Sequence, residues 1–280
     1  MSCAKGCAPE AVITTATVAA ETDVNGRLDW YARLPIAIPA RPCTTDPNAV
    51  IGFHEYQGGY YFAVVDLTGK LIDLGELSVP ENVGPHTRKG RTSDNFAFEM
   101  AWAMLRQSQM DNYKAYIGVE NTAWKREKVE LSADKNRETF AFPRERIFEI
   151  ARYKAAREGL LLPEKVRGVA PSRDCGNCGH RAQNDTAIRW RPVVHCFHCQ
   201  ALDQSHSLER IADAEGVKHL HCTQCRRIWN IEEPQLKCSR CRILQHAQYN
   251  ASLVVARRAL DQLASDHQSA MESDDNDVVL

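Results

Sequence analysis

The chain has 280 residues, 44% of them hydrophobic and 25% charged, with a formal net charge of -1. That is the composition of a globular protein with a substantial core, in one large domain or two small ones. Apolar runs such as Tyr60 to Val65 are too short to cross a bilayer and the first residues carry no secretory apolar stretch, so the expected setting is cytoplasmic, without membrane contact.

The near-neutral total hides a gradient. From His86 to Arg191 the sequence carries 21 Lys and Arg against 14 Asp and Glu, whereas the last residues, from Glu272, are acidic and aperiodic. A polyanion partner for the middle and a solvated charged surface are the two readings of that excess.

Alternating strands and helices are expected along the first part of the chain. A-V-I-G-F-H-E (Ala49 to Glu55) and G-Y-Y-F-A-V-V-D (Gly59 to Asp66) read as buried strands, and L-T-G-K turns into L-I-D-L-G-E-L, so the three predict an antiparallel meander. Ser93 is placed to cap a helix with Phe96, Met100 and Met104 on one face and Trp102 on another flank. A-Y-I-G-V-E (Ala115 to Glu120) predicts a fourth strand. Pro143 and Gly159 then bracket a helix with Ile147, Ile150, Ala151 and Lys154 on one face. K-V-R-G-V-A predicts a fifth strand, and Asn250 to Ala264 has a helical period at Leu253, Ala256, Leu260 and Leu263. The order implies an α/β layered fold with a module inserted before its last helix.

The module is announced by cysteines. Of eleven, eight form four C-x-x-C pairs: Cys175/Cys178, Cys196/Cys199, Cys222/Cys225 and Cys238/Cys241. Four thiolates close one tetrahedral structural zinc site, so eight predict two structural Zn2+ ions. Each ion contributes on the order of 10–16 kcal/mol of apparent binding free energy, which a segment with little core converts into folding. Disulfides do not suit so tight a loop in this setting. Tandem pairing, with 17 and 12 residues between partner knuckles, is the expectation; nested and cross-braced pairings are the other possibilities. His180, His195, His198, His219 and His221 are expected to face solvent, and Cys3, Cys7 and Cys43 to be reduced thiols.

Three phrases, in order, carry a resemblance. V-R-G-V-A-P-S-R-D-C-G-N-C-G-H (Val166 to His180) resembles the approach to the zinc ribbon of TnpB transposon nucleases and type V CRISPR effectors. Y-K-A-A-R-E-G (Tyr153 to Gly159) resembles that family's Y-K-A-x-x-x-G phrase. C-x-x-C-x-x-x-x-H-A-Q-Y-N-A-S (Cys238 to Ser252) is similar to its C-x-x-C-G-x-x-x-x-A-D-x-N-A-A. The similarity runs from about Asn48 to Ala264.

The resemblance implies a RuvC nuclease domain of RNase H-like fold, a mixed sheet flanked by helices with a zinc ribbon inserted before the last helix. In such proteins three carboxylates, on the first strand, at the end of the fourth and on the last helix, hold two divalent ions that drive phosphodiester hydrolysis. Here those positions carry His54, Glu120 and Gln248. One carboxylate of three remains, and Mg2+ wants anionic oxygens. The resemblance therefore implies a vestigial site and no catalytic residue. Glu55 is expected on the opposite face of its strand. Lys165, Arg167, Arg173 and Arg181, beside the ribbon, are the implied phosphate contacts.

The divisions implied are an N-terminal extension (1–46), possibly the remnant of a β-rich guide-binding module ending in the strand Trp30 to Pro39; a RuvC-like domain (47–170 with 246–266); a double zinc-ribbon insert (171–245); and an acidic disordered tail (267–280). The expected function is that of a nuclease-inactive binder of DNA and guide RNA, nucleoid-associated in a prokaryote, either as a subunit whose protein partner supplies guide-binding modules or as a domesticated transposon product. Two alternatives stand beside it: an active Mg2+-dependent endonuclease using Glu120 with Glu55 or Asp203, and a zinc-dependent protein–protein adaptor.

Overall fold

The computed structural model describes residues 12–13, 17–22, 26, 28–33, 36–37, 46–56, 59–78, 90–109, 113–121, 142–166, 171–181, 188–199, 208–213 and 216–276; for 90–94 and 267–276 only the backbone is described. Its centre is a five-stranded mixed sheet of β1 (Ala49–Tyr56), β2 (Gly59–Asp66), β3 (Leu71–Leu77), β4 (Tyr116–Glu120) and β5 (Glu164–Val166). The strands lie in the order β3-β2-β1-β4-β5. The expected meander is present, with β1 paired antiparallel to β2 from Ala49↔Asp66 to Tyr56↔Gly59 and β2 to β3 across a register shift at Val64/Val65. β4 then runs parallel to β1, and β5 parallel to β4. Asp66 Oδ1 accepts from the amides of Thr68 and Lys70 and from the Thr68 hydroxyl, so this stray acid builds the β2–β3 turn.

Alternation along β1 supplies two cores. Ile51 and Phe53 face a cluster with Phe96, Met100 and Met104 of helix α1 (Gly90–Gln109) and Ile147 and Ile150 of helix α2 (Arg144–Glu158). Val50 faces the other way, with Leu253, Val255 and Ala256 of helix α3 (Ala247–Asn276). Gly159 ends α2 as expected, in the left-handed conformation at φ 71° with its N–H returned to the last turn. Lys154 is buried on the face predicted for it, and its ammonium lies 4.4 Å from the Phe98 ring centroid and 5.1 Å from that of Trp102.

A β-branched or larger residue at either of two paired glycines would keep α3 off the sheet. A Cβ at Gly52 would stand 2.2 Å from the backbone nitrogen of Ala256, and one at Gly118, its register partner on β4, 2.4 Å from Ala259 Cβ. These bare positions let the helix backbone lie directly on β1 and β4.

The final helix departs from expectation at both ends. It begins at Ala247, immediately behind strand β11 (Leu244–His246), instead of at Asn250, and its backbone continues to Asn276. The segment expected as a disordered tail is therefore helical from 267 to 276; the remaining four residues lie outside the described ones. In the N-terminal extension Thr17–Thr22 pairs with Leu28–Arg33, and Val12–Ile13 with Ile36–Ala37, so the single strand expected from Trp30 to Pro39 is two.

The inserted module is built of β6 (Arg189–Pro192), β7 (Leu208–Ala212), β8 (Lys218–Cys222), β9 (Ile228–Asn230), β10 (Glu232–Lys237) and β11. They form two antiparallel three-stranded sheets, β6-β10-β11 and β7-β8-β9.

Candidate functional site

The three positions singled out at the sheet mouth meet. His54, at the end of β1, faces α3; Glu120 ends the neighbouring β4; Gln248 occupies the first turn of α3. His54 Nδ1 donates to Glu120 Oε2 at 2.5 Å and Nε2 to Gln248 Oε1 at 3.0 Å. A ring that donates from both nitrogens is an imidazolium. The side chains of His54 and Glu120 are only 10% and 12% exposed, so the pair is largely withdrawn from water. The described geometry thus joins an acid, a cationic ring and an amide in one chain of hydrogen bonds.

Glu55 lies on the other face, as strand alternation requires. The Arg144 fork holds it at two points, Nε to Oε2 and a terminal nitrogen to Oε1, both at 2.6 Å. Burial first, and then the Glu55 charge, keep the Tyr60 phenol well above its ordinary range. Asp203, the other acid weighed for the site, lies outside the described residues.

The cysteines form two groups, and their pairing is nested. Cys175, Cys178, Cys238 and Cys241 converge, as do Cys196, Cys199, Cys222 and Cys225. This overturns the tandem expectation. The outermost knuckles are the two ends of the insertion, and both must sit where the chain leaves and rejoins the sheet mouth. Cross-group sulfur distances are 3.6 Å (Cys175–Cys241), 3.7 Å (Cys178–Cys238), 3.5 Å (Cys196–Cys225) and 3.9 Å (Cys199–Cys222). Tetrahedral Zn–S bonds of about 2.3 Å require sulfurs about 3.8 Å apart, so the donor sets fit zinc.

The knuckles share one backbone device. The residue behind the second cysteine is left-handed at Gly179 (φ 68°), Arg226 (φ 60°) and Arg242 (φ 60°). Its amide donates to the carbonyl of the first cysteine, over 2.8, 2.8 and 2.9 Å respectively. For arginine that conformation costs on the order of 1 kcal/mol, which the knuckle imposes. Burial pushes the Cys175 thiol up to about 12, whereas at Cys238 the amides of Cys241 and Arg240 outweigh burial and bring it to about 7. Four neighbouring thiolates need a cation, which is what zinc supplies when bound.

The phrase A-Q-Y-N-A-S has two tasks beyond placing Gln248. Asn250 clamps the first knuckle: its Oδ1 accepts from the Gly176 amide at 2.7 Å and its Nδ2 donates to Asp174 O at 2.8 Å. Arg257, one turn and a half later, donates to the carbonyls of Gly176, Asn177 and Gly69, tying that knuckle to the β2–β3 turn beside a cavity of about 420 Å³. Tyr249 and His246 enter an aromatic cluster with Tyr61 of the sheet and Phe197 and Trp229 of the inner knuckles. His198 and Arg227 both donate to Asp73 on β3, at 2.8 and 3.0 Å. The module is thereby bolted to the core domain along its length.

The knuckle histidines are half-buried, not solvent-facing, and none belongs to a four-cysteine group. His195 donates to Leu244 O, His198 pairs with Asp73 and His219 with Asp213. Of the four basic residues beside the ribbon, Lys165 is held by Glu145 at 2.6 Å and Arg181 lies 3.6 Å from Asp174, which also pairs with Arg258. Arg173 is exposed; Arg167, Cys3, Cys7 and Cys43 lie outside the described residues. Sequence reasoning missed Asn250, Arg257 and the αL positions. The asparagine three residues after the helix start was the readable signal; the others depend on which knuckles pair.

These features define a mixed α/β protein with two four-cysteine groups able to hold zinc. No family model and no curated protein matches the chain. Among solved structures it is similar to a chain of a CRISPR-Cas12f ternary complex, at 14% identity and TM-score 0.39 over 86% of this chain and 44% of that one. It is also similar to a chain of a Cas12f1–sgRNA–target DNA complex, at 12% identity and TM-score 0.41 over 89% and 65%. The chain therefore spans about half to two thirds of the length of those chains. No helix among the described residues is long and apolar enough to cross a membrane.

Proposed function

We propose that the chain is a RuvC-like protein of RNase H-like fold, similar to TnpB and type V effectors, that binds nucleic acid and has exchanged its metal-dependent nuclease site for a hydrogen-bonded one. The observation that carries this reading is the His54 imidazole seated between Glu120 and Gln248. Two divalent ions about 3.5–4 Å apart need several anionic oxygens to displace hydration water. The pocket offers one carboxylate, already engaged by a cationic ring, and a neutral amide. Glu55 is held on the opposite face by Arg144, so the sheet brings no second described acid to that carboxylate.

Two further observations support the reading. The strand order, with α3 laid across Gly52 and Gly118, carries the three positions named from sequence to one point. The two cysteine groups lie at a module inserted before the last helix, where the resemblance puts a ribbon. In this reading both groups hold structural zinc, which fixes the strands of the module against the sheet.

The test is a paired assay on the zinc-loaded full chain. Labelled single-stranded and duplex DNA and RNA are retained in a shift assay, with affinity falling as salt rises, and none is cleaved in Mg2+ or Mn2+ beyond a Glu120→Ala control. Cleavage that Glu120→Ala abolishes establishes the active endonuclease instead. Failure to retain any nucleic acid at low salt leaves the adaptor reading.

A further inference from the structure

The basic residues first considered for phosphate contact are partly committed to acids, but a different segment combines exposed aromatic and cationic groups. Strand β6 reads R-W-R-P and is the outer strand of its sheet, paired on one side only, from Arg189↔Gln235 to Pro192↔Glu232. Trp190 is 64% exposed, more than any other described aromatic side chain. Ile188 and Val194, at alternate positions on the same face, are 44% and 71% exposed. Burying such a ring is worth a few kcal/mol, so an indole left in water on a rigid strand is a surface awaiting a partner.

The chemistry beside the ring selects the partner. Arg189 is exposed, and Arg191 has its Nε buried without a hydrogen-bond partner. Neither side chain has an ion-pair partner among the described residues. The acids across the ladder are Glu232, opposite Pro192, and Glu233, opposite Arg191; the Glu233 carboxylate is already used by Asn230 and His246. A flat ring flanked by two uncommitted guanidinium groups matches what a single-stranded nucleic acid offers, a base face with phosphates on either side. In a duplex the base faces are stacked on one another and closed to it.

We propose that Trp190 is a stacking platform for an unpaired base, with Arg189 and Arg191 taking the adjoining phosphates, so that β6 is a single-strand contact independent of base sequence. The proposal rests on the nucleic-acid-binding reading above and deepens it. The site lies in the inserted module, apart from the His54–Glu120–Gln248 pocket.

The test uses the full zinc-loaded chain, a labelled oligo-dT and a duplex of equal length, followed by fluorescence anisotropy. Trp190→Ala weakens oligo-dT binding about 5- to 150-fold, the range set by losing one stacked base, and leaves the duplex affinity unchanged. Trp190→Phe, which keeps a ring, retains most of the affinity. Arg189→Gln with Arg191→Gln lowers the salt slope by about 1.4, at about 0.7 per single-strand phosphate. Zinc content and circular dichroism confirm that each variant is folded, and the side chain removed is a surface one. Wild-type affinity for oligo-dT in Trp190→Ala overturns the proposal while leaving nucleic-acid binding in place. So does the result that Trp190→Ala spares oligo-dT but removes concentration-dependent self-association in sedimentation, which makes β6 a protein-docking edge. If the unaltered chain binds no oligonucleotide, the functional reading itself has failed, and this proposal with it.

Discussion

Gly52→Ala is the most informative single change to the core. The added methyl carbon would lie 2.2 Å from Ala256 N, 2.6 Å from Ser252 O and 2.7 Å from Ala256 Cα, all helix backbone, whereas ordinary contact begins at 3.4 Å. Side chains cannot turn aside to make room, so α3 must lift by roughly 1.2 Å, the shortfall at Ala256 N. Overpacking of this kind costs about 1–3 kcal/mol. At a typical urea dependence of about 2 kcal/mol per molar, the midpoint falls by about 0.5–1.5 M. The same lift separates His54 from Gln248, now 3.0 Å apart, beyond hydrogen-bonding distance. Urea titration of the zinc-loaded protein measures the first effect, and the chemical shift of the His54 ring the second. A variant with an unchanged midpoint and an unchanged His54 signal refutes the claim that the bare glycine seats the helix.

Nested pairing makes a counting prediction: replacing Cys175 and Cys241 together by Ser removes one bound zinc of two in elemental analysis, whereas tandem pairing requires the loss of both. Asn250→Ala strips the Gly176 amide and the Asp174 carbonyl of their shared partner, at about 1–3 kcal/mol, and loosens zinc in the outer group; an unchanged denaturation curve and unchanged chelator competition contradict the clamp. For Glu233, burial favours the neutral acid, but hydrogen bonds with His246 and Asn230 prevail and hold the carboxyl below its usual range. Its contribution is therefore complete above the unfolded value of about 4.3 and is lost as pH falls through the lower folded value. Glu233→Gln flattens that part of the acid limb of stability against pH, and an acid limb identical to the wild type counts against the assignment.

The layered fold was legible because its cues are local. Apolar alternation in Ala49 to Glu55, the proline and glycine around α2 and the period of Leu253, Ala256 and Leu260 each act within a few residues. His54, Glu120 and Gln248 could be named together only through the resemblance, since 194 residues separate the two hydrogen-bonded ends. Knuckle pairing was not legible, because C-x-x-C is the same word wherever it occurs and loop length alone does not choose partners. The pairing follows from Asn250 and Gly176, which draw the first knuckle onto the helix that follows the last one. Trp190 was passed over because a single aromatic in a short basic strand reads as core until its exposure is known.

Mn2+ titration of the zinc-loaded chain, followed by electron paramagnetic resonance with Glu120→Gln alongside, addresses the pocket directly. With an imidazolium and an amide beside one carboxylate, Mn2+ stays free at concentrations that saturate a three-carboxylate site, and the two proteins give the same signal. A pair of spin-coupled Mn2+ ions that disappears in Glu120→Gln contradicts the account.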